Sequence, residues 1–94
     1  MSINTSDFLL RARLDGETLE LWIEEEWLIP SHAADGREFS AADLARALLI
    51  HDLTQGLGVN DEGVGVILHL LDQVHELRRV LAHTLEPIAQ NAIR

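Results

Sequence analysis

A chain of 94 residues, 47% apolar and without cysteine, has room for one small domain that neither disulfides nor thiolate metal sites can staple. The net charge is −9 and all seven basic residues are arginine, so the cationic surplus that binds phosphates or anionic membranes is missing. The opening MSINTSDF has no basic segment and no long apolar run, and no stretch approaches the roughly 20 apolar residues of a membrane span, so a cytoplasmic protein is expected.

The first helix is expected from Ser6 to about Arg13, capped by Thr5 or Ser6, with Phe8, Leu9 and Ala12 at helical spacing. A short turn over Leu14 to Gly16 follows. The second helix is expected from about Glu17 to Glu25, with Asp15 or Gly16 at its start. At about 100° per residue, Leu19, Trp22 and Ile23 share one side, while Glu17, Glu20 and Glu24 share the other. The stretch from Asp15 to Glu26 holds six acids and no base. In a helix-turn-helix this second helix is the one that reads DNA, and a helix of that charge cannot lie against phosphates. Two readings follow: a solvated polar face, or a face that docks onto a basic protein surface. Glu24 and Glu25 sit at the negative end of the helix dipole, which weakens the helix.

Trp27-Leu28-Ile29-Pro30 reads as a short extended segment, because Pro30 disfavours helix at Ile29. Asp35-Gly36 is a hairpin-turn signal and Arg37-Glu38-Phe39 a returning strand, together a small β-wing. Trp22 is expected in the core; Trp27 is either core or, if exposed among acids, a binding anchor. Ser40 and Asp43 form a capping-box pattern opening a third helix with Leu44, Leu48, Leu49 and Leu53, which stops near Gln55. Asn60 caps a fourth helix, with Asp61 and Glu62 in its first turn, running to about Glu86 before Pro87. Gly63 and Gly65 weaken its first turns, a cost that close packing would explain.

That fourth helix carries a heptad series, Ile67, Leu70, Val74, Leu77 and Leu81, continued by Thr84 and Ile88. Leu68, Leu71 and Val80 lie off this seam, so one apolar side can pack inward while the other pairs with a second chain. A homodimer through Ile67, Leu70, Val74, Leu77 and Leu81 is expected. Arg78 and Arg79 read as ion-pair partners of Asp72, Glu76 or acids on a neighbouring chain.

No catalytic constellation or cofactor motif is present, and no enzyme activity is expected. The five histidines give no i+3 or i+4 pair, so no metal site is expected either. The architecture expected is mainly α: a winged helix-turn-helix with a small β-hairpin wing and a long C-terminal helix. It forms a single domain over 1–94, with the helix-turn-helix at 5–26, the wing at 27–39, the third helix at 40–56, the long helix at 60–86 and a frayed tail at 87–94.

LELWIEEEWLIP (Leu19 to Pro30), FSAADLARALL (Phe39 to Leu49) and LGVNDEGVGVILHLLDQVHELRRVL (Leu57 to Leu81) together resemble the chaperone modulator CbpM family, over about residues 5 to 85. The resemblance implies a helix-turn-helix of MerR type. It also implies a protein that binds the J-domain of a DnaJ-like co-chaperone of CbpA type and stops it stimulating a DnaK-type chaperone. The J-domain meets its chaperone through a basic face, for which an acidic modulator can compete. Glu17, Glu20, Glu24 and Glu25 are the candidate contact residues, with Asp61, Glu62 and Asp72 as a second acidic group. Relatives often carry glycine where this chain has Glu26, which suits a left-handed helix end. The alternatives are a MerR-like DNA-binding transcription regulator, expected to show a basic stripe of Arg11, Arg13, Arg37 and Arg46, and an acidic adaptor with an unrelated partner.

Overall fold

A computed structural model describes residues 2–92, with side chains described as far as 85. The described chain is mainly helical, with a small antiparallel sheet and a long C-terminal helix. Strand β1 (Ile3–Asn4) leads into α1 (Thr5–Ala12) and α2 (Gly16–Glu24). Strands β2 (Ser31–Ala33) and β3 (Gly36–Phe39) follow, then α3 (Ala41–His51), a π-helical turn (Asp52–Gly56) and α4 (Asp61–Ala92). The contacts separate two compact units, Met1–Val64 and Gly65–Arg94, where the sequence suggested one domain.

Helix α1 is capped by Asn4 rather than by Thr5 or Ser6: its Oδ1 accepts the Asp7 N–H at 2.8 Å. The reason is long-range. Asn4 is paired with Glu38 in the sheet, and this holds it in the extended conformation an N-cap requires. Arg13, in left-handed conformation, ends α1, and the Arg13 and Leu14 N–H groups both donate to the Leu9 carbonyl.

The sheet has the order β1-β3-β2, all antiparallel, so the wing carries a third strand that the sequence reading missed. Trp27 to Pro30 is not a strand. The Trp27 and Leu28 N–H groups both turn back to the Trp22 carbonyl, and pairing starts only at Ser31. Ala33 pairs with Gly36, leaving Ala34 and Asp35 as the two-residue hairpin loop, and Gly36 takes the positive φ of 131°. The core of the first unit joins the sheet to the helices, with Phe8 of α1 stacked on Phe39 of β3 at a centroid distance of 4.0 Å. Helix α1 also packs on α3, whose Ala47 and Ile50 are fully buried.

The capping box opening α3 is formed in both directions: Ser40 Oγ accepts from the Asp43 N–H, and an Asp43 carboxylate oxygen accepts from the Ser40 N–H. At the other end the Thr54 hydroxyl donates to the Ile50 and His51 carbonyls, a competing bond of the kind that distorts a helix, and the last turn is π-helical. Asn60 caps α4 by accepting the Gly63 N–H at 2.8 Å. A Cβ on Gly63 would lie 2.7 Å from a Val59 methyl, so the glycine permits this close approach.

Helix α4 continues through Pro87 to Ala92, where a frayed tail was expected. A proline inside a helix lacks the N–H of one ladder bond and crowds the carbonyl four residues back, so it commonly kinks or ends the helix; here the helix runs on past it. Residues 93 and 94 of that expected tail lie outside the described residues.

Candidate functional site

The candidate site is built on α2. Its N-cap is Asp15, whose Oδ1 accepts the Thr18 N–H at 2.7 Å. That bond, with a lesser one to the Thr18 side chain, holds the Asp15 carboxyl below its ordinary value. Leu19 and Trp22 are buried and Ile23 half-buried, so the apolar side of the helix is committed to the core. The other side exposes Glu17, Glu20, Glu24 and Glu25, bringing the four predicted carboxylates onto one solvent-facing surface. No basic residue lies in the last turn.

One member of the set has an intramolecular partner. Arg37 on β3 grips the Glu20 carboxylate with both terminal nitrogens, one of them at 3.1 Å. This hydrogen bonding lowers the Glu20 pKa and raises that of Arg37. Glu20 therefore ties the acidic helix to the wing, while Glu17, Glu24 and Glu25 form no ion pair among the described residues. Leu21, which the sequence reading passed over, is 55% exposed among these acids. Its signal was present: it lies about 40° around the helix from Glu17.

The end of α2 is a Schellman motif. The Trp27 N–H donates to the Trp22 carbonyl at 2.9 Å and the Glu26 N–H to the Ile23 carbonyl at 3.0 Å. Glu26 occupies the left-handed position at φ 62°. The apolar contact that accompanies such motifs is made by the two tryptophans, 6.3 Å apart between ring centroids. Trp27 is consequently buried, and it is not the exposed anchor that was one of its two readings. From α3, Arg46 donates its Nε–H to the Trp27 carbonyl and clamps this junction.

Past the junction, a groove of about 430 Å³ lies between the end of α2 and the wing, lined by Ile23, Glu26, Leu28, Ile29, Pro30, His32 and Arg37. Of the four arginines that a DNA-binding stripe would need, Arg11 and Arg13 are exposed. Arg37 and Arg46 are engaged within the fold.

Helix α4 presents the expected seam unevenly. Leu70, Val74, Leu77 and Leu81 are exposed, Leu77 by 68%, and Leu85 extends the stripe, whereas Ile67 is half-buried. Val64 and Leu68 are buried and Leu71 is half-buried, but Val80 is exposed rather than part of an inward side. Arg79 pairs with Glu76 at 2.6 Å. Asp61, Glu62 and Asp72, the second acidic group, are exposed. Among the described residues no group of three histidines or acids is placed to hold a metal ion, and no helix is long and apolar enough to cross a membrane.

Two helices joined by a tight turn, a β-wing and a long following helix define a winged helix-turn-helix protein whose second helix is acidic. The profile of the family described as MerR HTH family regulatory protein matches residues 3–85, and the chain belongs to that family. Among curated proteins and among solved structures, no match to the chain was found.

Proposed function

We propose that this protein is a chaperone modulator. It binds the J-domain of a DnaJ-like co-chaperone of CbpA type and prevents that domain from stimulating its DnaK-type chaperone. It acts in the cytoplasm by binding alone, without catalysis or a cofactor. The observation that carries this reading is the exposed row of Glu17, Glu24 and Glu25, with Glu20 beside them, on the helix that would otherwise enter a DNA groove. A row of carboxylates repels phosphates and attracts a basic protein face, raising the rate and specificity of encounter. The engagement of Arg37 and Arg46 inside the fold also weighs against the DNA-reading alternative.

The protein is further proposed to act as a homodimer through α4. An apolar stripe of Leu70, Val74, Leu77 and Leu81 at heptad spacing, with Leu85 beside it, fits a second copy of the same helix, which would cover it.

The test is a titration of the purified J-domain at low and at moderate salt. Binding that weakens as salt rises, and that Glu17→Lys with Glu24→Lys reduces more than about tenfold, is the expected result. Glu20 is left out of this variant, because removing it would also release Arg37. No binding at low salt refutes the reading. Tighter binding to a DNA duplex than to the J-domain would favour transcription regulation.

A further inference from the structure

The groove between the end of α2 and the wing has a composition that selects its occupant. Its apolar lining is Ile23, the buried Leu28, Ile29, which is 74% exposed, and the half-buried Pro30. Two charged side chains line it. Arg37 is neutralised by its double contact with Glu20. Glu26 forms no ion pair among the described residues, and it follows directly on Glu24 and Glu25. The groove thus joins an apolar lining of Ile23, Leu28, Ile29 and Pro30 to one carboxylate without an ion pair, that of Glu26, with the His32 imidazole also in its wall.

A mainly apolar groove whose lining includes a carboxylate matches a side chain with a long aliphatic stem and a cationic head. We propose that this groove receives a lysine or arginine side chain of the protein partner, its stem against Ile23, Ile29 and Pro30 and its head against the Glu26 carboxylate. The proposal rests on the J-domain reading and adds to it a defined pocket for one basic residue, outside the exposed row on α2. A neutral apolar side chain would leave Glu26 unpaired in the contact, and an acidic one would be repelled, so the groove discriminates by charge as well as by shape. It also accounts for a glutamate holding a backbone position at φ 62° that glycine occupies without strain. A carboxylate kept there against its local conformational preference is explained if the partner uses it.

The test titrates the J-domain with the wild-type protein and with Glu26→Gln, Glu26→Gly, Ile29→Ser and Asp7→Asn variants. Asp7→Asn removes one exposed carboxylate from α1 and controls for net charge. Glu26→Gln and Glu26→Gly are expected to weaken binding about tenfold, Ile29→Ser several-fold and Asp7→Asn less than about twofold. Circular dichroism of each variant separates loss of binding from loss of fold. Wild-type binding with Glu26 variants that bind equally well, or no worse than Asp7→Asn, overturns the groove proposal alone. No wild-type binding overturns it together with the J-domain reading.

Discussion

Replacing Glu26 with glycine should stabilise the protein. Glu26 sits at φ 62°, where an L side chain crowds the following carbonyl at a cost of about 1–2 kcal/mol. Glycine is free of that crowding but loses about 0.5–1 kcal/mol more backbone entropy on folding. Taking the middle of each range leaves a net gain of about 0.75 kcal/mol. For a domain of this size that corresponds to a rise in melting temperature of about 3–6 °C. The Schellman bonds from Trp27 to Trp22 and from Glu26 to Ile23 use backbone groups only, so the substitution leaves them in place. Thermal unfolding followed by circular dichroism at fixed protein concentration reads the shift, and Glu26→Gln is the control. Glutamine removes the charge but keeps the Cβ, so its melting temperature should stay close to that of the wild type. A Glu26→Gly variant no more stable than the wild type refutes the strain argument. Equal gains from glycine and glutamine would instead assign the effect to relief of charge repulsion beside Glu24 and Glu25.

Glu20 should titrate below its ordinary value of 4.5, and in Arg37→Gln it should return toward that value, as read by carboxyl NMR. Because the folded pKa is the lower one, the pair's contribution to stability is fully present above the unfolded value and disappears as pH falls through the folded value; Arg37→Gln should therefore lose less stability than wild type across that acid window. Equal acid sensitivity of the two proteins would contradict the pairing. Leu77→Glu should convert the proposed dimer to monomer in sedimentation experiments while leaving helical content unchanged, and a wild-type protein that is monomeric at every accessible concentration would remove the dimer proposal. Phe39→Ala breaks the stack on Phe8 and should cost about 3–5 kcal/mol, enough to leave so small a domain largely unfolded on warming, as read by chemical denaturation.

What the sequence disclosed was local in character. The capping box of Ser40 and Asp43, the cap of Asn60 and the division of α2 into a buried and an acidic side are patterns within a few residues, and each is formed as expected. The features that escaped depend on distant pairing. Strand β1 is two residues long and has no periodicity to read; it exists because Ile3 meets Phe39. The bond from Arg37 to Glu20 spans 17 positions and changes the role of a predicted contact residue. Trp27 was ambiguous because burial beyond a helix end depends on the direction the chain takes there, and the left-handed Glu26 sets that direction. Pro87 marked a helix end on local grounds, yet α4 runs through it to Ala92.

Where the local penalties fall helps to choose between the two readings of the acidic helix. A polar face that serves only for solvation can place its acids at the helix N-terminus, where the dipole favours them, as Asp15 and Glu17 do here. Glu24 and Glu25 instead lie at the disfavoured end, with no base in the last turn, and Glu26 adds a strained backbone next to them. Three unfavourable choices in succession have no folding rationale, since the Schellman turn, the Trp22–Trp27 contact and the Arg46 clamp would all form with other residues at 24–26. Departures from local preference gather where a surface is used for binding. Their position matters as much as their number: Glu24 and Glu25 belong to the exposed row of α2 and Glu26 lines the groove against the wing, so the row of carboxylates runs on into the groove.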